Sequence, residues 1–318
     1  MSNTVRAIVA VACLGLCSTA TAADVPVKTG PQKSESKPFF IVNDNSISYH
    51  YEFRATNPGA GVTPKHVLTF THFDVWAYGT NFLNVDWLKA TDGNATPAAP
   101  CGFPNAATGC SGYTEIYGIW RSTLGWNELT NSKRFAMAPL TNVSWLVGAD
   151  LNTDNTNLAS AKRSIEAGIQ FDFAAPYKGF LNVGVVAYKE WQHDGIAAAL
   201  GTNPGGRVEF DTTWGVEINY MQPLGFLPPS LPMTYQLLVT IRGPKGAGEP
   251  GAAPRVTEYY TQQTLSLDVG QMLGGPAKRF SVWGAYRWWK NKFGLDPVGS
   301  GLCCTHEKTW IVGATSTF

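Results

Sequence analysis

Acids, bases and aromatic rings recur at every second position in several runs of this sequence. His50, Glu52 and Arg54 alternate with Tyr49, Tyr51 and Phe53. His72, Asp74 and Trp76 follow, and then Asp86. Further along come Glu166, Asp172, Tyr188, Glu217 and Arg242, and finally Glu258, Tyr260, Trp283, Arg287 and Trp289. Rings stack on a base or sugar, while carboxylates accept hydrogen bonds from hydroxyl and N–H groups. The set therefore suits a neutral, ring-bearing, hydroxylated solute. "HFDVW" (72–76 with its flanks) and "WGAYRWW" (283–289) are the densest local instances. Acids outnumber arginines among these residues, which favours a hydrated path that disfavours anions over a cross-neutralised plug. The plain alternative for any one of them is membership of a salt-bridge network that merely fills an interior.

Enzymatic chemistry is thinly represented. His72 and Asp74 share a strand face, so a base and its orienting acid are geometrically feasible, with Ser48 as a guessed nucleophile. No nucleophile-elbow sequence, P-loop, dinucleotide fingerprint or zinc-ligand spacing is present. The reading is of a non-enzyme, with no cofactor and no metal.

These residues are positioned by runs of period two. In 46–54, Ile47, Tyr49, Tyr51 and Phe53 oppose Ser48, His50, Glu52 and Arg54. In 164–173, Ile165, Ala167, Ile169, Phe171 and Phe173 oppose Ser164, Glu166, Gln170 and Asp172. Comparable runs fill 210–220, 235–242 and 258–269, with weaker copies near 66–77, 82–89, 113–122, 135–147, 180–191, 280–289 and 309–318. That predicts about twelve strands. Compact connections (78–81, 174–179, 223–232, 270–278) alternate with long ones rich in Gly, Pro and Asn (55–65, 91–111, 148–162, 193–207, 243–255, 291–306); 124–134 is intermediate. An up-and-down antiparallel barrel in an outer membrane has this asymmetry, with short periplasmic turns and long extracellular loops. Apolar rows then face lipid and polar rows line the lumen. Closure is required, because each unpaired backbone group in hydrocarbon costs several kcal/mol.

The rest of the sequence agrees. The chain has 318 residues, with 24 Lys+Arg against 23 Asp+Glu, so nothing points to nucleic acid. Charged residues are only 15%, below the roughly 25% of soluble domains. Residues 1–22 have the charge, the short apolar run "AIVAVACLGLC" and the small-x-small end of a cleaved signal peptide. Residues 23–45 read as a flexible periplasmic lead, and 46–318 as the barrel. Cys101 and Cys110 bracket a turn-rich loop and are candidates for a disulfide; the adjacent Cys303 and Cys304 are either a vicinal pair or free thiols. The chain closes on "WIVGATSTF", a strand in phase with Phe318.

Those strands resemble the outer-membrane nucleoside-specific channel-forming family (Tsx-like) and related outer envelope proteins. The resemblance runs from "SISYHYEFR" through "FTHFDVWAYGTNFLNVDWLKA" (70–90) and "EIYGIWRSTLGWNEL" (115–129) to the final strand. It implies a monomeric twelve-stranded barrel in the bacterial outer membrane, with a narrow pore for nucleosides and similar solutes. It also implies that Phe318 is read by the barrel-assembly machinery. The other readings are a receptor or adhesin barrel with a plugged lumen, and a barrel enzyme acting on lipid.

Overall fold

The computed structural model describes residues 39–58, 61–91, 114–155, 160–199 and 201–318. The signal-peptide reading of 1–22 and the Cys101–Cys110 pairing lie outside those residues.

Twelve antiparallel strands form the wall. They are β1 (Phe40–Glu52), β2 (Lys65–Trp76), β3 (Gly79–Ala90), β4 (Thr114–Gly125), β5 (Leu140–Asp154) and β6 (Arg163–Ala175). The other six are β7 (Gly179–His193), β8 (Thr213–Pro223), β9 (Met233–Arg242), β10 (Glu258–Asp268), β11 (Phe280–Lys290) and β12 (Glu307–Thr317). Each pairs with its sequence neighbours, and β12 pairs with β1 through Ser46↔Thr317 to Glu52↔Ile311. The Phe318 N–H donates to Asn45 O at 2.8 Å, extending that seam by one more bond. The ring is closed, so no strand edge is left open. A short strand, Arg207–Glu209, adds to the end of β7, and Thr56–Asn57 pairs with Gly61–Val62 in the first long loop.

Connections at one end are tight: 77–78, 176–178, 224–232 and 269–279, with 126–139 the longest and partly helical. At the other end lie 53–64, 91–113, 155–162, 194–212, 243–257 and 291–306. The asymmetry expected from the sequence is present.

β1 starts at Phe40 rather than in the mid-forties, so the end of the expected flexible lead is strand. "FIVNDN" looks like a turn by composition, but Val42 and Asn45 pair with Val75 and His72 across a bulge near Phe40. Val42 is buried against the wall, and the ladder overrides the local turn preference of Asn and Asp.

Burial divides the two faces in an order opposite to that of a soluble protein. Ile47, Leu68, Trp87, Ile116, Leu151, Ile165, Val185 and Trp310 point outward and are exposed. Glu52, Lys65, Glu166, Glu190, Arg242 and Glu307 point inward and are buried. No helix among the described residues is long and apolar enough to cross a membrane.

Candidate functional site

Strict alternation fixes which side chains enter the lumen, and the register fixes their neighbours. Of the residues expected there, His50, Glu52, Asp86, Glu166, Asp172, Tyr188, Glu217, Arg242, Glu258, Tyr260, Trp283, Arg287 and Trp289 do point inward. Four do not. On β2 the inward row is Lys65, Val67, Thr69 and Thr71, pinned by Thr69 Oγ1 donating to Asp86 and Thr71 Oγ1 to Asn84. His72, Asp74 and Trp76 therefore share the outer face with Leu68 and Phe70. The sequence misleads here because Val67, Phe73 and Val75 make the inward row as apolar as the outward one. Arg54 lies beyond the end of β1 and is exposed.

His72 and Asp74 belong to a hydrogen-bonded ladder across four strands, while the Trp76 indole N–H makes no hydrogen bond. His72 Nδ1 lies 2.9 Å from Asn45 Oδ1 and its Nε2 lies 3.1 Å from Asp74 Oδ2. Asn81 donates to Asp74 at 3.0 Å, and Ser122 Oγ donates to Asn81 Oδ1 at 2.7 Å. Ser48 sits on the other side of the wall, bonded to Thr315 Oγ1 at 2.8 Å. The guessed Ser48–His72–Asp74 arrangement is therefore not assembled.

Inside, the long-loop half of the lumen carries a belt of ion pairs. Arg121 of β4 is its hub. Its Nη1 lies 2.7 Å from Asp150 Oδ1, and its Nη2 lies 2.8 Å from Glu217 Oε1. Its Nε donates to Glu217 Oε2 at 3.0 Å, and Glu166 Oε1 lies 2.6 Å from the same nitrogen without an aligned hydrogen bond. Glu217 stands on β8, four strands from β4, so this pair crosses the interior. Arg242 of β9 makes a second crosspiece, with Nη2 at 2.6 Å from Glu166 Oε2 on β6 and a further contact to Glu217. The Arg242 guanidinium also lies over the Tyr188 ring at 4.6 Å.

Space for the guanidinium groups comes from glycines. A Cβ on Gly148 would sit 2.7 Å from Arg121 Cδ and 3.0 Å from Glu166 Oε1. Gly215, the register partner of Arg242, leaves room for that side chain in the same way.

The belt continues around the wall. Tyr188 Oη and Lys245 Nζ donate to Glu190, the latter at 2.7 Å. Lys65 pairs with Glu115 at 2.9 Å, and Arg287 with Glu52 at 2.7 Å and Glu307 at 3.4 Å. Lys292 meets Glu307 at 2.7 Å, and Trp289 Nε1 donates to Glu258 at 2.7 Å. Burial pushes the ammonium groups of Lys245 and Lys292 below their usual range, with Glu190 and Glu307 acting against it.

The belt holds the carboxylates Glu52, Glu115, Asp150, Glu166, Glu190, Glu217, Glu258 and Glu307 against the cations Lys65, Arg121, Lys162, Arg242, Lys245, Arg287 and Lys292. Within the belt the charges nearly balance, while Asp86 and Asp172, which also point inward, keep the acidic excess expected of the lumen. Counting arginines alone left out the lysines at strand ends, which read as loop residues, and Arg121, whose run 113–122 is only weakly alternating. Charge parity along that run (Glu115, Tyr117, Arg121) was the available signal.

The short-turn half is different. Its inward residues are hydroxyls, amides and some apolar side chains around Asp172, to which Gln170 and Ser144 donate at 2.7 and 3.0 Å, whereas Asp86, which takes a hydrogen bond from Asn84 at 2.9 Å, lies nearer the long loops than Phe82, the register partner of Arg121. Trp283 Nε1 donates to Thr315 at 3.0 Å, and its ring lies 5.3 Å from His50. Leu238 and Phe73 point into this half and are still 39% and 36% exposed, so the space between the walls here is wide. Of the rings expected to stack on a solute, only Trp283 lies in this half. Tyr188, Tyr260 and Trp289 belong to the belt, and Trp76 faces outward.

Beyond the belt, Cys303 and Cys304 stand side by side in the last long loop as free thiols, Sγ to Sγ 2.7 Å. Among the described residues no cluster of three or more His, Cys, Asp or Glu side chains is arranged to hold a metal ion.

No family model and no curated protein matches this chain. Solved structures do. An outer-membrane channel from Pseudomonas putida F1 aligns with a TM-score of 0.48 at 10% identity, over 92% of this chain and 100% of that one. OccAB2 from Acinetobacter baumannii aligns at 0.35 and 8% identity, over 87% and 97%. The translocator domain of the autotransporter NalP from Neisseria meningitidis aligns at 0.34 and 8%, over 90% of each chain. Likenesses this distant transfer no solute and no mechanism. The closed barrel stands on its own strand pairing.

Proposed function

We propose that this chain is a barrel of the bacterial outer membrane, with its long loops outside, that acts as a passive channel for small neutral hydrogen-bonding solutes. The observation that carries the reading is the wall itself: a mostly apolar, aromatic exterior encloses a lumen that is polar over most of its inward positions, with a belt of ion pairs at one level. A greasy outer row suits hydrocarbon, and closure satisfies the backbone there. The short-turn half supplies amide and hydroxyl partners for a hydroxylated solute. The belt sets the narrowest level, where paired opposite charges face each other across the opening. An ionic solute entering it would have to break such pairs, whereas a neutral one can exchange hydrogen bonds with them. Nucleosides fit this class, and Trp283 is the ring available to stack on a base. Phe318, at the end of the seam strand, is the residue we assign to recognition by the barrel-assembly machinery.

Liposome swelling with the reconstituted chain tests the proposal. Nucleosides and hexoses should enter faster than nucleoside phosphates of similar size. No uptake of any of them, by the wild type or by a variant lacking the crosspiece (R121Q/E217Q), would overturn it. A second reading, a barrel with a sealed lumen serving as a receptor surface, is favoured by the burial of Glu166, Arg242 and Glu307. It predicts a silent wild type beside a conducting R121Q/E217Q.

A further inference from the structure

On three strands of the barrel an outward tryptophan is followed by a lysine at the next outward position toward the long loops. β3 carries Trp87 then Lys89, and β11 carries Trp288 then Lys290. β12 runs the opposite way and carries Lys308 then Trp310. These strands belong to one unbroken arc, β11-β12-β1-β2-β3. Between them β1 contributes Tyr51, and β2 contributes His66, the register partner of both Tyr51 and Lys89. Trp87 and Trp310 are exposed, as are Lys290, Lys308 and His66; Lys89 is half-buried and donates to Thr114 Oγ1 at 3.2 Å. Among the described residues, no carboxylate occupies an outward position in the long-loop half of this arc. Elsewhere the pattern breaks: on β7 the order is Lys189 then Trp191, and Lys189 pairs with Glu209 at 3.1 Å.

We propose that this arc is a docking surface for the phosphate groups of anionic lipids in the leaflet at the long-loop end; it rests on the reading of the chain as a membrane barrel. The order along each strand matches the layers of a leaflet. Phe70 and Val312 lie deepest, the indoles next with Leu68 level with its register partner Trp87, and the cations last. Indole rings prefer the boundary between hydrocarbon and headgroups. Two residues further along a strand is roughly 6–7 Å, the step from that boundary to the phosphates. Lysine stems can cover the intervening apolar surface while the ammonium reaches outward. A protein partner would need acids spaced to meet lysines on separate strands and an apolar patch to meet the indoles. A leaflet supplies both without a specific fold.

The test uses the full mature chain in nanodiscs of phosphatidylcholine, with and without phosphatidylglycerol, and reads the thermal unfolding midpoint from the shift between folded and unfolded gel mobility. The expected result is a higher midpoint in the phosphatidylglycerol discs, most of which K89Q/K290Q/K308Q loses. That loss follows from the roughly fivefold in affinity that each lysine gains at an anionic surface. K133Q/K178Q/K278Q, which removes lysines from the short turns, should keep the shift. The inference is overturned if the first variant keeps it, if the second loses as much, or if inorganic phosphate in phosphatidylcholine discs reproduces it. Failure to insert into any disc sinks the membrane reading itself. Insertion without lipid discrimination overturns this inference alone.

Discussion

The two halves of the lumen are built from the same strands and differ in what their side chains must do. Toward the long loops, long cations and acids reach across the interior and are buried. Toward the short turns, hydroxyls and amides stay on the wall and Leu238 remains exposed inside. A charge that leaves water needs a partner, because an uncompensated buried charge costs several kcal/mol. The charged half is therefore obliged to be a network, with Arg121 shared among Asp150, Glu166 and Glu217. The neutral half has no such obligation and can stay wide and hydrated. A barrel can thus combine a rigid constriction with an adaptable vestibule without changing its strand number.

The largest expected effect comes from removing the hub. R121M leaves Asp150, Glu166 and Glu217 with only Lys162 and Arg242 to compensate them and should destabilise the folded barrel by about 3–5 kcal/mol. The measure is the denaturant midpoint of the chain in detergent micelles. Combining it with E217M should recover part of the loss, and no recovery would mean that the belt is not held by pairing. Next in size is G148A, whose methyl meets Arg121 Cδ at 2.7 Å and should cost about 1–3 kcal/mol through overpacking. An equal cost in the R121M background would show that the clash lies elsewhere. In the neutral half, Q170A removes a hydrogen bond to Asp172 and should cost only about 1 kcal/mol. Its effect should appear in solute uptake instead. A loss as large as that of R121M would erase the contrast between the halves. The smallest effect concerns the loop beyond the belt. Burial and the neighbouring Cys303 push the Cys304 thiol up to about 11. Its alkylation, followed by mass spectrometry, should be slow at neutral pH in the wild type and accelerate toward that value, and should be faster at neutral pH in a C303S variant.

Much of the wall was legible. Ile47, Tyr49 and Tyr51 against Ser48, His50 and Glu52 identify the outer and lumen faces of β1, and the same holds for 164–173 and for the alternation of tight and long connections. β2 was not legible. With Val67, Phe73 and Val75 on one row and Leu68, Phe70 and His72 on the other, its two faces have similar polarity, and only the pairing of Thr69 with Asp86 selects one. The belt was half legible. Glu52, Glu166, Glu217, Arg242 and Arg287 were visible as inward residues, whereas Lys65, Lys245 and Lys292, which pair with Glu115, Glu190 and Glu307, sit at strand ends or in loops, where local sequence carries no face.

By itself, then, the sequence determined the strand count, the closed antiparallel wall and the direction in which most side chains point. Those depend on a two-residue period and on backbone hydrogen bonds that an open sheet edge would leave unmet. Only the tertiary structure decided which charges meet, because Arg121 and Glu217 are 96 residues apart and become neighbours only when the ring closes. Closure sets the distance across the lumen, and that distance turned a row of acids into a balanced belt.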